Sequence, residues 1–452
     1  MTAPMATFHI TNFGCRATYA DAAAIEQQFA ARGYRRADEA AAADVVVLNT
    51  CTVTADADAR ARQAIRRAHR ENPAARIVVT GCYAQRAPEE LAAFAGVSHI
   101  VGNSHITEVA DLLSQADAPA RSSALVQIGS IQPTKHMPAT AQIFAGDIFA
   151  RKGLAVAESI GDAGERTRPV LKIQDGCDQR CAYCVIPFVR GRSRSLTPDL
   201  AITEVRRLVH GGAKEIVLSG INLGSYGRDL SPRANLLDLL RRILDETSIE
   251  RLRLSSIEPI DLTAELVEMF ASSRRLARHF HIPLQSGSDR ILHAMHRWYK
   301  AAHYAERVRL VDKLLPGAGI GADVICGFPG EADDDHRETM QLVASLPFSY
   351  LHVFSYSQRP ETEAARLIEQ ERVQEVPPVI IKQRVRELRA LSAKKSAAFR
   401  AAHAGQTLRA LTLHTQGSDA AGPWTQALTD NYVTTRIPGS LPANEWHEVC
   451  LA

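Results

Sequence analysis

Cys177, Cys181 and Cys184 stand in Cys-x3-Cys-x2-Cys spacing within Asp175-Gly176-Cys177-Asp178-Gln179-Arg180-Cys181-Ala182-Tyr183-Cys184. Three thiolates in one short loop suit three irons of a 4Fe–4S cube, and with no fourth cysteine in the loop one iron is left open to another ligand. Structural zinc is the competing reading. Zinc takes four ligands, usually in paired spacing, and no second Cys-x2-Cys pair occurs in the chain. A bacterial ferredoxin run would place Pro after its last cysteine, where this chain has Val185.

A second set of thiols is dispersed. Cys15, Cys51 and Cys82 each closely follow a short apolar run, in Asn12-Phe13-Gly14-Cys15, Leu48-Asn49-Thr50-Cys51 and Val79-Thr80-Gly81-Cys82. The runs Phe8 to Phe13, Val45 to Thr50, Ile77 to Thr80 and Val97 to Val101 alternate with helix-like stretches at Ala20 to Arg32, Ala57 to Arg70 and Pro88 to Phe94. This alternation predicts βα units and a parallel sheet. Parallel strands end on one edge, where ligands of open α/β sheets gather. Core packing is the ordinary role of a single cysteine, but three at successive strand ends predict convergence. Cys326 and Cys450 stand alone in apolar, strand-like settings and read as packing residues.

The rest of the chain must position these thiols. Its 452 residues are 46% hydrophobic and 23% charged, with a formal charge of +3, as expected of two to four ordinary domains and not of a histone-like binder. No apolar run reaches membrane-spanning length and no leader pattern opens the chain, so a cytoplasmic protein is expected. Eight cysteines are too sparse for a disulfide scaffold. The predicted organisation is an N-terminal α/β domain over 1–114, a linker over 115–166 rich in Ala, Ser, Gln, Pro and Gly, a second βα series over 167–403 and a small β domain over 404–452. Six strands in the second series, near Leu171, Ile216 to Ser219, Leu252 to Ser255, Phe280 to Leu284, Ile320 to Ile325 and Leu351 to Phe354, predict a partial (β/α)6 barrel. Helices are expected at Pro198 to His210, Leu236 to Asp245, Leu262 to Phe270, Ser288 to Met295, Asp333 to Leu346 and Val379 to Ala402. The tail shows strand-like runs at Leu408 to Leu413, Tyr432 to Ile437 and Glu448 to Leu451.

The cysteine loop resembles the signature of the radical S-adenosylmethionine enzymes. That resemblance implies an open iron chelating the cofactor's amino and carboxylate groups, with reductive cleavage to a 5′-deoxyadenosyl radical. Tyr183 matches the aromatic residue beside the adenine. Ser219-Gly220, Ser256, Glu258, Gln285-Ser286 and Gly327, at or beyond strand ends, are the expected cofactor contacts. With its two cysteine triads, the whole chain resembles the methylthiotransferases, whose third domain is a small RNA-binding, TRAM-like β module. Phe13-Gly14-Cys15-Arg16, Asn49-Thr50-Cys51-Thr52-Val53-Thr54, Thr80-Gly81-Cys82-Tyr83-Ala84-Gln85 and Leu351-His352-Val353-Phe354-Ser355-Tyr356-Ser357 are most similar to the MtaB branch. That branch acts on N6-threonylcarbamoyladenosine at position 37, in the anticodon loop of tRNA. The isopentenyladenosine branch would be expected to show Gly-Cys-Gln-Met-Asn at the first cysteine, where this chain has Gly14-Cys15-Arg16-Ala17-Thr18. The family implies a second 4Fe–4S cluster on Cys15, Cys51 and Cys82 that holds the inserted sulfur. It also implies two S-adenosylmethionine molecules per turnover, an electron donor and a sulfur source.

Three basic runs are candidate phosphate contacts: Arg60 to Arg70, with Arg62, Arg66 and Arg70 on one helix face; Arg190, Arg192 and Arg194; and Lys382 to Arg400. From Gly405 onward, Arg409 and Arg436 face Asp419, Asp430, Glu445 and Glu448, a net charge of −2 that is unusual for an RNA-binding module. Alternative substrates are isopentenyladenosine in tRNA or an aspartate of a ribosomal protein. The alternative of another class is a non-catalytic iron–sulfur or zinc protein that binds RNA.

Overall fold

A computed structural model describes residues 5–116, 141–151, 153–154 and 167–451. They form two compact units: residues up to 160 together with Val185–Arg192, and Gly161–Cys184 together with Ser193–Ala452.

The first unit is a parallel sheet covered on both faces. Its strands are β1 (Thr7–Asn12), β2 (Arg35–Arg36), β3 (Val45–Thr50), β4 (Arg76–Gly81), β5 (Val97–Gly102) and β6 (Gln142–Phe144), in spatial order β2-β1-β3-β4-β5-β6. The helices are α1 (Arg16–Ala31), α2 (Ala55–Glu71), α3 (Cys82–Arg86), α4 (Pro88–Ala92), α5 (Val109–Ala116) and α6 (Ile186–Arg190). Side chains alternate along β3. Val46 and Leu48 join Ala61 and Ile65 of α2 in one core, while Val45 and Val47 join Ile25 and Phe29 of α1 in the other. Each such buried aliphatic or phenyl group contributes about 1.5–3 kcal/mol, which is why the strands read as continuous apolar runs. α2 begins where the Thr54 side chain accepts from the Ala57 N–H, with Asp56 and Asp58 in its first turn. Strand order reverses at β1, so the ends of β1 and β3 flank a topological switch point. Of the expected linker, 117–140, 152 and 155–166 lie outside the described residues, and Gln142–Phe144 extends the sheet as β6.

The second unit opens with β7 (Val170–Lys172), β8 (Gln174–Asp175) and β9 (Arg194–Ser195), followed by α7 (Pro198–His210), β10 (Glu215–Ser219), α8 (Leu236–Glu246), β11 (Arg251–Leu254), α9 (Ala264–Ser272), β12 (His279–His281), α10 (Asp289–Ala294) and α11 (Ala301–Leu314). β13 (Gly319–Cys326), α12 (Asp333–Ser345), β14 (Tyr350–Ser355), α13 (Glu363–Glu369) and α14 (Pro378–Ala402) complete it. β7, β10 and β11 form one parallel sheet and β12, β13 and β14 another, each in sequential order. A parallel bridge between Leu252 and Leu276 and the Ile257 N–H to His281 carbonyl bond of 2.9 Å join them. Six parallel strands in sequence order make the expected partial barrel. α11, absent from the sequence expectation, buries Tyr304, Val308 and Val311 at helical spacing.

The C-terminal sheet is antiparallel, β15 (Thr407–Asp419), β16 (Gly422–Thr429), β17 (Thr434–Pro438) and β18 (Trp446–Cys450), in the order β17-β16-β15-β18. The inner strand β16 was not expected, because its Gly422-Pro423 start reads as a turn. This sheet docks on the starting ends of the barrel strands. Glu215 of β10, fully buried, accepts from Arg253 at 2.8 Å and from Arg251. Arg251 also donates to the Leu428 carbonyl, and Arg253 to those of Thr429 and Asp430, at 2.9–3.0 Å. Asn431 donates to the Gly317 carbonyl, and Tyr432 stacks on His279 with ring centres 4.2 Å apart. The turn around Asn431 therefore closes that end of the barrel. No helix among the described residues is long and apolar enough to cross a membrane.

Candidate functional site

The structure places Cys15 shortly after β1, Cys51 immediately after β3 and Cys82 at the first residue after β4. The first two flank the switch point. They come close together: burial chiefly, and then the neighbouring thiols of Cys82 and Cys15, push the Cys51 thiol up to about 12. The backbone makes this approach possible at two glycines. Gly14, at φ 125°, lies over Cys51, where a Cβ would stand 2.7 Å from the Cys51 Cβ and 3.3 Å from its Sγ. Gly81, at φ 95°, runs so close to β3 that a Cβ would meet the Thr50 carbonyl oxygen at 2.4 Å. Asn49 ties the strand ends together, donating to Asn12 Oδ1 at 2.8 Å and the Thr18 carbonyl at 2.7 Å. Cys82 is buried beside Val185 and Val189. Burial raises its thiol, whereas the Arg190 charge and an Asn103 amide 3.4 Å from its Sγ favour the thiolate.

The second triad lies in the loop beyond β8. Gln174, fully buried, clamps the entry by donating to the Gly176 carbonyl at 2.8 Å and Ser193 Oγ at 2.9 Å while accepting from the Asn222 N–H. Ala182 fixes the middle, its N–H on the Met295 carbonyl and its own carbonyl accepting from Ala364. Arg297 Nη1 lies 3.3 Å from Cys181 Sγ, and the same guanidinium is paired with Glu258. Burial raises the Glu258 carboxyl against the pull of Arg297. Burial pushes the Cys177 thiol up to about 11, opposed by the Gln179 N–H.

Among the described residues, neither triad draws its three sulfurs within 4.8 Å of one another. Two sulfurs on one zinc, each about 2.3 Å from it, lie no more than about 4.6 Å apart. A cube instead gives each thiolate its own iron.

The other expected residues occupy the cysteine-loop end of the barrel or its walls. Tyr183 packs among Ala182, Ile291, Met295 and Phe328. Ser219 ends β10 and Gly220 lies against Gln174 and Leu223, while Ser256 and Glu258 follow β11. Gln285, at φ 66°, bridges to Val324. The Ser286 hydroxyl is buried and accepts from the Ser288 N–H at 3.2 Å, and the Gly327 N–H donates to Glu331. Sequence reading missed Arg297. The local signal was an arginine beside Tyr299, which is itself buried with its hydroxyl 2.9 Å from the Leu284 carbonyl.

Parts of two basic runs are engaged internally, although Arg60, Arg66, Arg67, Arg70 and Arg192 stay exposed. Arg62 donates to Tyr83 Oη at 2.8 Å and pairs with Glu90, a carboxylate that comes from α4 and not from its own helix. Arg66 stacks on Phe94. Arg190 forms a buried 2.8 Å ion pair with Asp21, and Arg194 is buried. On α14, Lys382, Arg386, Arg389 and Lys394 remain exposed, while Arg384 is buried with Glu331. Both C-terminal cations are paired, Arg409 with Glu250 and Arg436 with Asp419.

Six parallel strands with a Cys-x3-Cys-x2-Cys loop beyond the first define a radical S-adenosylmethionine barrel. The Radical SAM superfamily matches residues 171–343, and the uncharacterized protein family UPF0004 matches residues 7–102. The threonylcarbamoyladenosine tRNA methylthiotransferase MtaB of Aquifex aeolicus is 37% identical over 426 residues, covering 94% of this chain and 95% of its own. The protein of the same name in Bacillus subtilis is 35% identical, covering 96% and 91%. The tRNA-2-methylthio-N(6)-dimethylallyladenosine synthase of Syntrophobacter fumaroxidans is 37% identical over 80% of this chain and 76% of its own. The chain belongs to the methylthiotransferase family of radical S-adenosylmethionine enzymes. The fold is shared with the radical methyltransferase TsrM of Kitasatospora setae, at a TM-score of 0.56 and 17% identity over 81% of this chain and 78% of that one.

Proposed function

We propose that this protein methylthiolates C2 of N6-threonylcarbamoyladenosine at position 37 of tRNA, in the cytoplasm, with two 4Fe–4S clusters and S-adenosylmethionine. The observation that most supports this reading is the pairing of two cysteine triads in a chain similar over nearly its whole length to proteins named for that reaction. Cys177, Cys181 and Cys184 hold the radical-generating cluster, and Cys15, Cys51 and Cys82 the sulfur-transfer cluster. An unactivated aromatic C–H bond is beyond side-chain acids and bases, and the bound cofactor supplies reductive carbon-radical chemistry in their place.

The protein's own groups bind, orient and balance charge. Ligation requires thiolates, so loading Cys51, Cys82 and Cys177, whose thiols burial holds above their ordinary range, releases protons. Arg297 donates toward Cys181 Sγ, and Glu258 holds the guanidinium in place. Tyr183, Ser219, Gly220, Ser256, Glu258, Gln285, Ser286 and Gly327 line the cofactor, with Ser286 contributing backbone because its hydroxyl is engaged internally. The exposed cations of α14 meet tRNA phosphates. An electron donor and a sulfur source complete the reaction.

Replacing Arg297 with Ala removes a charged donor from a cluster sulfur. The reduction potential of that cluster is expected to move to more negative values, because hydrogen bonds to the sulfurs favour the reduced state. A redox titration followed by electron paramagnetic resonance checks the direction.

Mass spectrometry of tRNA nucleosides tests the reaction itself. A deletion strain should lose 2-methylthio-N6-threonylcarbamoyladenosine and accumulate its unthiolated precursor, and the cloned gene should restore the product. The Syntrophobacter relative supports a second substrate reading. Loss of the methylthio group from isopentenyladenosine alone would select that substrate and remove the first.

A further inference from the structure

Three strands of the barrel bring together His281, Asp323 and His352, whose ligating atoms all lie within 4.8 Å of one another. His281 Nε2 is 2.9 Å and His352 Nδ1 is 3.1 Å from the same carboxylate oxygen, Asp323 Oδ1. Strand register creates the cluster. Asp323 is paired with His352 across β13 and β14, and His281 is paired with Gly321, one inward-facing position before Asp323.

The geometry points to a site for one divalent first-row cation, held by two imidazoles and one carboxylate, with its remaining positions open to water or an oxygen ligand such as a carboxylate. At metal–ligand distances of about 2.1 Å, donors at right angles on one ion lie about 3.0 Å apart, which matches both separations. The donor set, two imidazoles and one carboxylate, suits manganese, iron, cobalt or zinc. An outer partner is also present. Tyr350 Oη lies 3.0 Å from His281 Nδ1 and 2.9 Å from His279 Nε2. Tyr350 Oη can accept from His281 Nδ1–H, which fixes the ring, and a cation bound at Nε2 then takes the place of the proton that His281 shares with the carboxylate. Access exists as well: His352 is exposed, and it lines a cavity of about 200 Å³ with Tyr350, Phe399, Arg400 and Tyr432.

This site is independent of the proposed tRNA reaction, and either can fail alone. Manganese(II) is the probe, since it prefers nitrogen and oxygen donors to thiolates. The full chain, anaerobically loaded with iron and sulfide, is titrated with manganese(II), and the free ion is followed by electron paramagnetic resonance. Wild-type protein should bind one ion per chain. Tyr350→Phe should weaken binding roughly tenfold, and His352→Ala and Asp323→Asn should weaken it beyond the roughly 10–100-fold of an outer-shell loss. Because His352 is exposed, His352→Ala should keep the wild-type melting temperature. If the wild type binds no manganese, or no more tightly than His352→Ala, the cluster is a hydrogen-bonded network only and the site is refuted.

Discussion

Replacing Cys51 with Ser should separate the two activities proposed for this protein. Cys51 lies at the centre of the strand-end triad, immediately after β3, with Gly14 over its sulfur. A serine oxygen at that buried position is a poor iron ligand, so anaerobically reconstituted protein should fall from about eight irons per chain to about four. Reductant-dependent release of 5′-deoxyadenosine from S-adenosylmethionine should continue, because the second triad is untouched. Formation of the methylthiolated nucleoside should drop to background. Cys177→Ala is the counterpart: its iron content should also halve, but both deoxyadenosine and product should disappear. Product formation by Cys51→Ser at a rate near wild type would remove the strand-end triad from sulfur insertion. Abolished deoxyadenosine release in that variant would instead make the first triad necessary for radical generation.

The second large effect concerns stability. Burial alone would raise the Glu215 carboxyl, but the guanidiniums of Arg253, Arg251 and Arg168 outweigh burial and hold it at about 2, against an ordinary value of 4.5. Burial draws Arg251 down to about 10, still far above neutrality, so the pair stays ionised. A depressed carboxyl contributes stability above its unfolded value, and that stability is lost as pH falls from 4.5 toward 2. The shift corresponds to about 3 kcal/mol. Glu215→Gln leaves two buried guanidiniums without their carboxylate and should cost about 3–5 kcal/mol at neutral pH. Hydrogen exchange should quicken first around residues 428–430, whose carbonyls those arginines hold. Chemical denaturation across pH 2–7 checks the sign: the variant should show a shallower acid slope than the wild type between 4.5 and 2, the remainder coming from other depressed carboxyls such as Asp335 and Glu387. An unchanged slope would show that Glu215 does not anchor the C-terminal sheet.

Much of this arrangement could be read from residue order because it rests on short-range periodicity. β3 and β4 are apolar runs buried on both faces, and cysteines after successive parallel strands must lie on one edge whatever the helix geometry. The loop triad is local by construction. What escaped depends on partners distant in the chain. Arg297 meets Cys181 across 116 positions, and Arg251 reaches the Leu428 carbonyl across 177. The charges of Arg62 and Arg190 looked available for phosphate because their partners, Glu90 and Asp21, lie on other elements. His281, Asp323 and His352 come from three strands, and only register makes them neighbours. β16 was hidden by its Gly-Pro start, which reads as a turn although it opens an inner strand of the sheet.

The placement of α6 in the first unit bears on synthesis. Asp21, near the start of the chain, waits for Arg190, 169 residues later, before its buried ion pair can form. At roughly 5–20 residues per second, a translating ribosome needs about 10–30 s to cover that interval. The N-terminal sheet therefore cannot reach its final state as the first part of the chain emerges, because it is completed by a helix encoded after the third cysteine of the loop. Dissection at residue 151 would discard that helix, so the N-terminal unit inherits its last structural element from the far side of the radical motif and cannot be transplanted as a contiguous gene fragment.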